Sequence, residues 1–276
     1  MGVVAPSLQD RQRATEIAGQ FDIPLLDASC RPRDLEAGRG VLQLIDGVPS
    51  IALTGRDVPG AVTIDFADKS MARRRRGGHN ELLGKAVGWK QAHAPGVLDA
   101  TGGYGRDAFL LADLGCQVTV CERDPVMALL FGDALMRASA SGDEWLASVV
   151  ARMRLLDRDA VDLEASVLTA VDVIYLDPMF PLDRRAAPAK EMQVLHQLLA
   201  FEAANRHPEA EAQQAKSASE EQARNAQDAA LLAWARAQDV RRVVVKRPRR
   251  APAIPGPAVG HCLTGKSVRF DVYPVS

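Results

Sequence analysis

Asp177-Pro178-Met179-Phe180 puts an acid, a proline and an aromatic ring at the end of the apolar run Val173-Ile174-Tyr175-Leu176. These residue types suit the holding of a flat, amine-bearing ring: oxygens accept the amine hydrogens while the Phe180 ring stacks on the base. An exocyclic amine conjugated to its ring is a poor nucleophile, and holding its hydrogens directs the nitrogen lone pair at an electrophile. The matching chemistry is in-line displacement at a methyl carbon on a sulfonium, where positioning supplies most of the acceleration. Asp177 need not be a strong base, because the product ammonium sheds its proton readily. Asp177, Pro178 and Phe180 are therefore the candidate catalytic residues. The alternative is a strand that ends at an Asp-Pro turn with Phe180 in the core.

A second apolar run, Val97-Leu98-Asp99-Ala100, breaks into Thr101-Gly102-Gly103-Tyr104-Gly105-Arg106-Asp107. Gly103-x-Gly105-x-x-Ala108 between a strand and a helix has the pattern of a phosphate-cradling turn. A dinucleotide enzyme would seat a pyrophosphate there; a methyltransferase would pass the same glycines beside the methionine part of S-adenosylmethionine. Asp99, Gly102, Gly103 and Gly105 are candidate cofactor contacts on this segment, and Arg106-Asp107 at the helix start departs from the simple dinucleotide pattern. Glu122 ends the next run, Val118-Thr119-Val120-Cys121, where a carboxylate accepts paired hydrogen bonds from ribose hydroxyls in either enzyme class. The Asp-Pro-aromatic end then decides for methyl transfer onto a nucleobase.

These loops need a sheet to hold them. From Gly96 onward strand candidates (96–100, 117–121, 153–156, 171–176 and 242–246) alternate with helical stretches (107–114, 125–138 and 190–203), which argues for a mostly parallel sheet covered by helices on both faces. Two final runs, 261–264 and 268–273, flank Gly265-Lys266 with no helix between them. A terminal antiparallel hairpin on a parallel sheet is the mark of the class I methyltransferase, Rossmann-like α/β fold of seven strands. Residues 1–68 read as a small α+β domain with a helix over 9–20 and a meander whose Asp46-Gly47 is a strong hairpin signal. A basic connector and helix span 69–95, and the catalytic domain spans 96–276, with 202–228 as a polar helical or partly disordered insertion.

The chain of 276 residues is 47% apolar but only 5% aromatic, so its core is built from Ala, Val and Leu. A formal charge of -1 gives no global pull toward nucleic acid, and any such surface comes from local clusters: Arg73, Arg74, Arg75 and Arg76, and Lys246-Arg247 within the run to Arg250. A solvated linker is the alternative for the first cluster. The four cysteines and five histidines lack metal-ligand spacing, so neither zinc nor a disulfide framework is expected. No run is apolar and long enough to span a bilayer, and the N-terminus lacks signal-peptide order, so a cytoplasmic protein is expected.

The chain resembles the ribosomal RNA small subunit methyltransferase J family. The blocks that carry the resemblance are Asp65-Phe66 with Met71-Ala72-Arg73-Arg74-Arg75; Asp99-Ala100-Thr101-Gly102 with Gly105-Arg106-Asp107-Ala108-Phe109; Glu122-Arg123; Tyr175 to Pro181; Lys190-Glu191-Met192; Arg242 to Pro248; and Arg269-Phe270-Asp271. The resemblance implies transfer of a methyl group from S-adenosylmethionine to the N2 of a guanine in 16S ribosomal RNA, as naked RNA or in the small subunit, without metal or membrane. It implies cofactor contacts by Arg106, Asp107, Glu122, Arg123 and Asp177. Where the family has a Ser-Ser pair after the third strand this chain has Asp159-Ala160; Asp159 can accept from the adenine amine, and Ala160 offers only backbone. Two other function classes are an NAD-dependent oxidoreductase and a non-catalytic RNA-binding assembly factor with a methyltransferase fold.

Overall fold

The computed structural model describes residues 1–69, 71, 79–178 and 213–275. They fall into two compact units, one holding the described residues 1–64 and the other those from 65 onward.

In the first unit, helix α1 (Leu8–Phe21) starts at Ser7, whose hydroxyl oxygen accepts from the Asp10 N–H at 3.1 Å. Strand β2 (Gly40–Ile45) turns at Asp46-Gly47 into β3 (Val48–Leu53). Both turn residues have positive φ (53° and 77°), the conformation whose twist matches a two-residue hairpin. The buried Asp10 carboxylate accepts from Gly47 N–H at 2.7 Å, and Arg13 donates to the Gly47 carbonyl, so the hairpin tip is locked to α1. The expected meander differs in two places. Strand β1 (Gly2–Val4) adds to β2 in parallel, and after β3 the chain returns to it only through a single bridge from Val62 to Ile51. The run Val62-Thr63-Ile64 ends before it can extend the ladder, because the chain turns at Asp65, whose carboxylate takes the Ala67 N–H at 2.9 Å.

The second unit is built on a seven-stranded sheet. Its strands are β4 (Gly96–Asp99), β5 (Gln117–Glu122), β6 (Met153–Asp157), β7 (Val173–Leu176), β8 (Arg242–Pro248), β9 (His261–Thr264) and β10 (Val268–Pro274), in the order β6-β5-β4-β7-β8-β10-β9. The first five are mutually parallel; β10 is antiparallel to β8 and to β9. The fold class read from the sequence is the one observed. Val97, Leu98, Val173 to Leu176 and Val243 to Val245 are all buried, as expected of strands covered on both faces.

Among the described residues the helices of this unit include α2 (His79–Val87), α3 (Arg106–Asp113), α4 (Pro125–Ser139), α5 (Glu144–Val150), the short α6 (Ala165–Leu168) and α7 (Gln213–Arg236). The polar stretch 202–228 is helical where it enters the described residues at Gln213, and α7 runs past it. Its final turns bury Leu232 and Ala235 in one cluster with Ile174, Leu176, Val243 and Val245 on one sheet face. On α3, Phe109 stacks on Phe66 with centroids 5.2 Å apart and meets Trp145 edge-on, while Phe131 of α4 meets Phe66 edge-on. Phe66, Phe109, Phe131 and Trp145 thus gather in one aromatic cluster around α3.

Candidate active site

Strands β4 and β7 are parallel neighbours, with Asp99 opposite Tyr175, so their carboxyl ends leave the sheet side by side. The chain runs outward from β4 through β5 to β6, then returns to β7 and continues the other way to β8. Crevices at such reversals are where open α/β sheets bind ligands. Backbone and side chain tie the two exits together: Ala100 N–H donates to Tyr175 O at 3.0 Å, and Asp177 N–H donates to the Thr101 hydroxyl at 2.7 Å.

The three glycines of the first loop have different duties. A Cβ on Gly102 would come within 2.8 Å of Val120 and 2.9 Å of Cys121 O, and one on Gly105 (φ 65°) within 2.1 Å of the Phe131 ring. These two let the loop pack down on β5 and α4. A Cβ on Gly103 (φ 54°) would meet nothing nearer than Thr101 O at 3.7 Å, so Gly103 presents open backbone that a ligand can approach. Its N–H donates to Glu122 Oε2 at 2.6 Å, while Glu122 Oε1 accepts from Asp124 N–H at 2.8 Å. Burial raises the Glu122 pKa, and the two backbone donors oppose that rise. A carboxylate fixed against the open glycine and facing the start of α3 is a fit seat for a nucleoside.

The alternation of β-strands puts Asp99, Tyr175, Asp177 and Lys246 on one sheet face, the face that α3 covers. There Lys246 Nζ donates to Asp107 Oδ2 at 2.6 Å and to Asp177 Oδ2 at 2.8 Å, and the Tyr175 hydroxyl donates to the same Asp107 oxygen at 2.6 Å. Burial works against the Lys246 ammonium, but the charges of Asp107 and Asp177 outweigh it and raise its pKa. Burial likewise pushes Asp99 up to about 7, helped by the negative charges of Asp107 and Asp177 and opposed by hydrogen bonds from Thr101. Tyr175 is held neutral, chiefly by burial and then by Asp107 and Asp177. Asp99 and Asp107 are 3% and 6% exposed, whereas the Asp177 side chain is 39% exposed.

Farther along the same edge, Arg123 at the end of β5 faces Asp159 after β6 across 3.7 Å. Ala160 is buried at the start of a short 3-10 turn, so its side chain belongs to the core. Arg106 lies over the Tyr104 ring, 5.5 Å from its centroid. The residues read as cofactor contacts, Asp99, Gly102, Gly103, Gly105, Arg106, Asp107, Glu122, Arg123, Asp159, Ala160 and Asp177, thus line the carboxyl ends of four adjacent parallel strands.

Other sequence expectations fare differently. The sequence reading places Lys246 and Arg247 in an RNA-binding cluster, and the structure turns both inward. Lys246 is committed to the two aspartates, and Arg247, 2% exposed, donates to Pro252 O at 2.6 and 3.0 Å beside Asp228. Burial in β8 is the reason: the strand expected over 242–246 runs on to Pro248, and its register, which the sequence does not show, turns both side chains inward. Pro178 is buried against the end of β7. Phe180 and Arg73, Arg74, Arg75 and Arg76 lie outside the described residues. The roles of Thr101 and Tyr175 were missed; their spacing two residues from Asp99 and Asp177 was the available signal. Among the described residues no group of three or more His, Cys, Asp or Glu could hold a metal ion, and no helix is long and apolar enough to cross a membrane.

A family model described as "Putative SAM-dependent methyltransferase" matches residues 38–217 and 222–275. A protein of Pseudomonas syringae pv. tomato named ribosomal RNA small subunit methyltransferase J is 39% identical over 99% of this chain and 90% of its own length. The chain belongs to the ribosomal RNA small subunit methyltransferase J family. A Pseudomonas aeruginosa protein of the same name is 43% identical over 87% of this chain and 80% of its own. The crystal structure of a SAM-dependent methyltransferase from Neisseria gonorrhoeae matches with a TM-score of 0.69 and 30% identity, covering 100% of this chain and 96% of that one. This family member is an S-adenosylmethionine-dependent methyltransferase; neither the oxidoreductase nor the non-catalytic reading finds support among these relatives.

Proposed function

We propose that this methyltransferase acts on the exocyclic N2 amine of a guanine in 16S ribosomal RNA, in the cytoplasm. The relatives' name supports the ribosomal target, and one observation carries the chemistry. Of the three aspartates gathered at the β4 and β7 exits, Asp177 alone is substantially exposed, and its backbone is pinned to the glycine loop through Thr101. The acid that can reach an incoming amine is thus fixed beside the loop that approaches the cofactor.

S-adenosylmethionine supplies the electrophilic methyl group on its sulfonium. On the protein side, Gly103 would offer open backbone to the cofactor, Glu122 would accept hydrogen bonds from its ribose, and Asp159 with Arg123 would hold the adenine. Asp107, Arg106, Asp99, Gly102 and Gly105 shape the loop around the methionine part. Asp177 accepts hydrogens of the guanine amine, Pro178 stiffens the turn, and Phe180 stacks on the base. The guanine must leave its pairing partner to enter, because N2 lies on the pairing edge. Arg73 to Arg76 grip RNA phosphates, joined by exposed Arg249 and Arg250, which follow β8 at the same sheet edge.

Mass spectrometry of 16S ribosomal RNA from cells lacking this protein tests the reading. One N2-methylguanosine should be missing and return with the wild-type protein but not with Asp177→Ala. An unchanged nucleoside profile in the deletion strain would refute it.

A further inference from the structure

We propose that Lys246 is the positioning residue of the transfer site, holding the Asp177 carboxylate in place by bridging it to Asp107. The proposal rests on the reading of Asp177 as acceptor of the target amine. Leu176 is paired with Val245, so Asp177 and Lys246 are the next residues on neighbouring strands and share a face with the pair Tyr175 and Val244. The ammonium spans 2.6 Å to Asp107 and 2.8 Å to Asp177, linking α3 to the exit of β7 from a third element, β8. Lys246 therefore acts on the site through the two acids that it bridges.

The groups facing the ammonium are Asp107 from α3, Asp177 and Tyr175 from β7 and its exit, and Asp99 from β4 behind them. From β10 the register partner is Phe270, which carries no charge. The next residue on β8, Arg247, is engaged with Pro252 O and Asp228. A buried ion pair is a poor way to gain stability, since well-packed apolar residues often do as well or better. What the ammonium provides that a hydrocarbon cannot is a fixed, ionised Asp177. Without it, the buried Asp107 and the half-exposed Asp177 lose a compensating charge beside the buried Asp99, which favours proton uptake by the cluster.

The test compares wild type, Lys246→Met and Lys246→Arg in methyl transfer to small subunits from the deletion strain. For Lys246→Met we expect kcat at neutral pH to fall on the order of 100-fold, the scale of a misplaced reacting group. KM for S-adenosylmethionine should change little. The acid limb of kcat should move to higher pH, because Asp177 loses the neighbouring ammonium that favours its ionised form. Lys246→Arg keeps the charge, so its limb should stay in place and part of the rate should survive.

A second readout needs no RNA. Folded Lys246→Met holds an extra proton, so its melting deficit against wild type should shrink as pH falls from roughly 8 to 5.5. If Lys246→Met does not fold, Lys246→Met/Asp107→Asn, which removes one acid with the base, replaces it. That variant should fold, and its melting deficit against wild type should change less with pH than an unbalanced site requires. A deficit and rate loss equal at every pH, with Lys246→Arg no better than Lys246→Met, would overturn the proposal. Failure of wild type to methylate 16S ribosomal RNA would instead remove the substrate reading, and the melting comparison would still decide the role of Lys246.

Discussion

The Thr101 hydroxyl accepts the Asp177 backbone N–H at 2.7 Å and lies 3.2 Å from Asp99 Oδ1, to which it donates. One small side chain thus joins the exit of β7 to the buried acid at the end of β4, and it does so at the first residue of the glycine loop. Thr101→Val keeps the shape and removes both bonds, taking the acceptor from the Asp177 N–H and leaving Asp99 Oδ1 with the backbone N–H of residue 101. We expect a loss of about 1–3 kcal/mol in stability, with kcat falling more than the affinity for S-adenosylhomocysteine. Thr101→Ser should recover most of both. Denaturant unfolding, calorimetry and turnover on the same preparations separate the two effects.

Asp99 carries the clearest pH signature. Burial raises its folded pKa to about 7, above the ordinary carboxylate value of about 3.9. The folded state therefore binds a proton more tightly than the unfolded state, and the stabilisation is fully present below about pH 4 and lost as pH rises to about 7. Asp99→Asn mimics the neutral acid at every pH. Its stability relative to wild type should climb across that window and level off above it, as measured by unfolding at a series of pH values. A difference that stays constant from acid to neutral pH would mean that Asp99 is ionised throughout.

Much of the scaffold was legible because its signals are local. Apolar runs marked the seven strands of the large sheet, Asp46-Gly47 marked the β2–β3 hairpin of the small unit, and Gly103-x-Gly105 after β4 marked the ligand loop. What stayed hidden was non-local. Strand β1 is three residues long and pairs in parallel with β2, which leaves no turn to read. Lys246 finds its acids 69 and 139 positions away, and nothing near it in sequence distinguishes an inward lysine from the exposed Arg249 and Arg250. Charge runs read as surface until strand register is known, and that is why the sequence alone assigns Lys246 and Arg247 to an RNA-binding cluster.

The loop glycines separate packing from ligand approach. Gly105→Ala drives a methyl group into the Phe131 ring at a positive φ, and should cost about 2–4 kcal/mol from overpacking and backbone strain together. Pairing it with Phe131→Leu should return part of that. Gly103→Ala meets open space, so its stability loss should be limited to the φ penalty of about 1–2 kcal/mol. Its affinity for S-adenosylhomocysteine should fall further than that of the Gly105 variant measured under folded conditions. Equal affinities for the two variants would remove Gly103 from the ligand-facing surface.

With Arg247 buried, the basic groups left at the exit of β8 are Arg249 and Arg250, both exposed. The Arg249 N–H donates to Ser267 O at 2.9 Å, which fixes the start of this segment against the turn before β10, where exposed Lys266 lies. If these side chains neutralise RNA phosphates, their removal weakens binding by counterion release and not by loss of base recognition. Arg249→Ala/Arg250→Ala should lower affinity for 16S ribosomal RNA at low salt and flatten the plot of log affinity against log salt by roughly 0.7–0.9 per lost contact. S-adenosylhomocysteine affinity and melting temperature should not move. Arg247→Ala should do the reverse: it leaves the salt slope alone and destabilises the fold, because it empties a buried site and strands Pro252 O beside Asp228. Opposite outcomes for two arginines separated by a single proline would show that strand direction, rather than local charge density, decides which basic residues meet RNA.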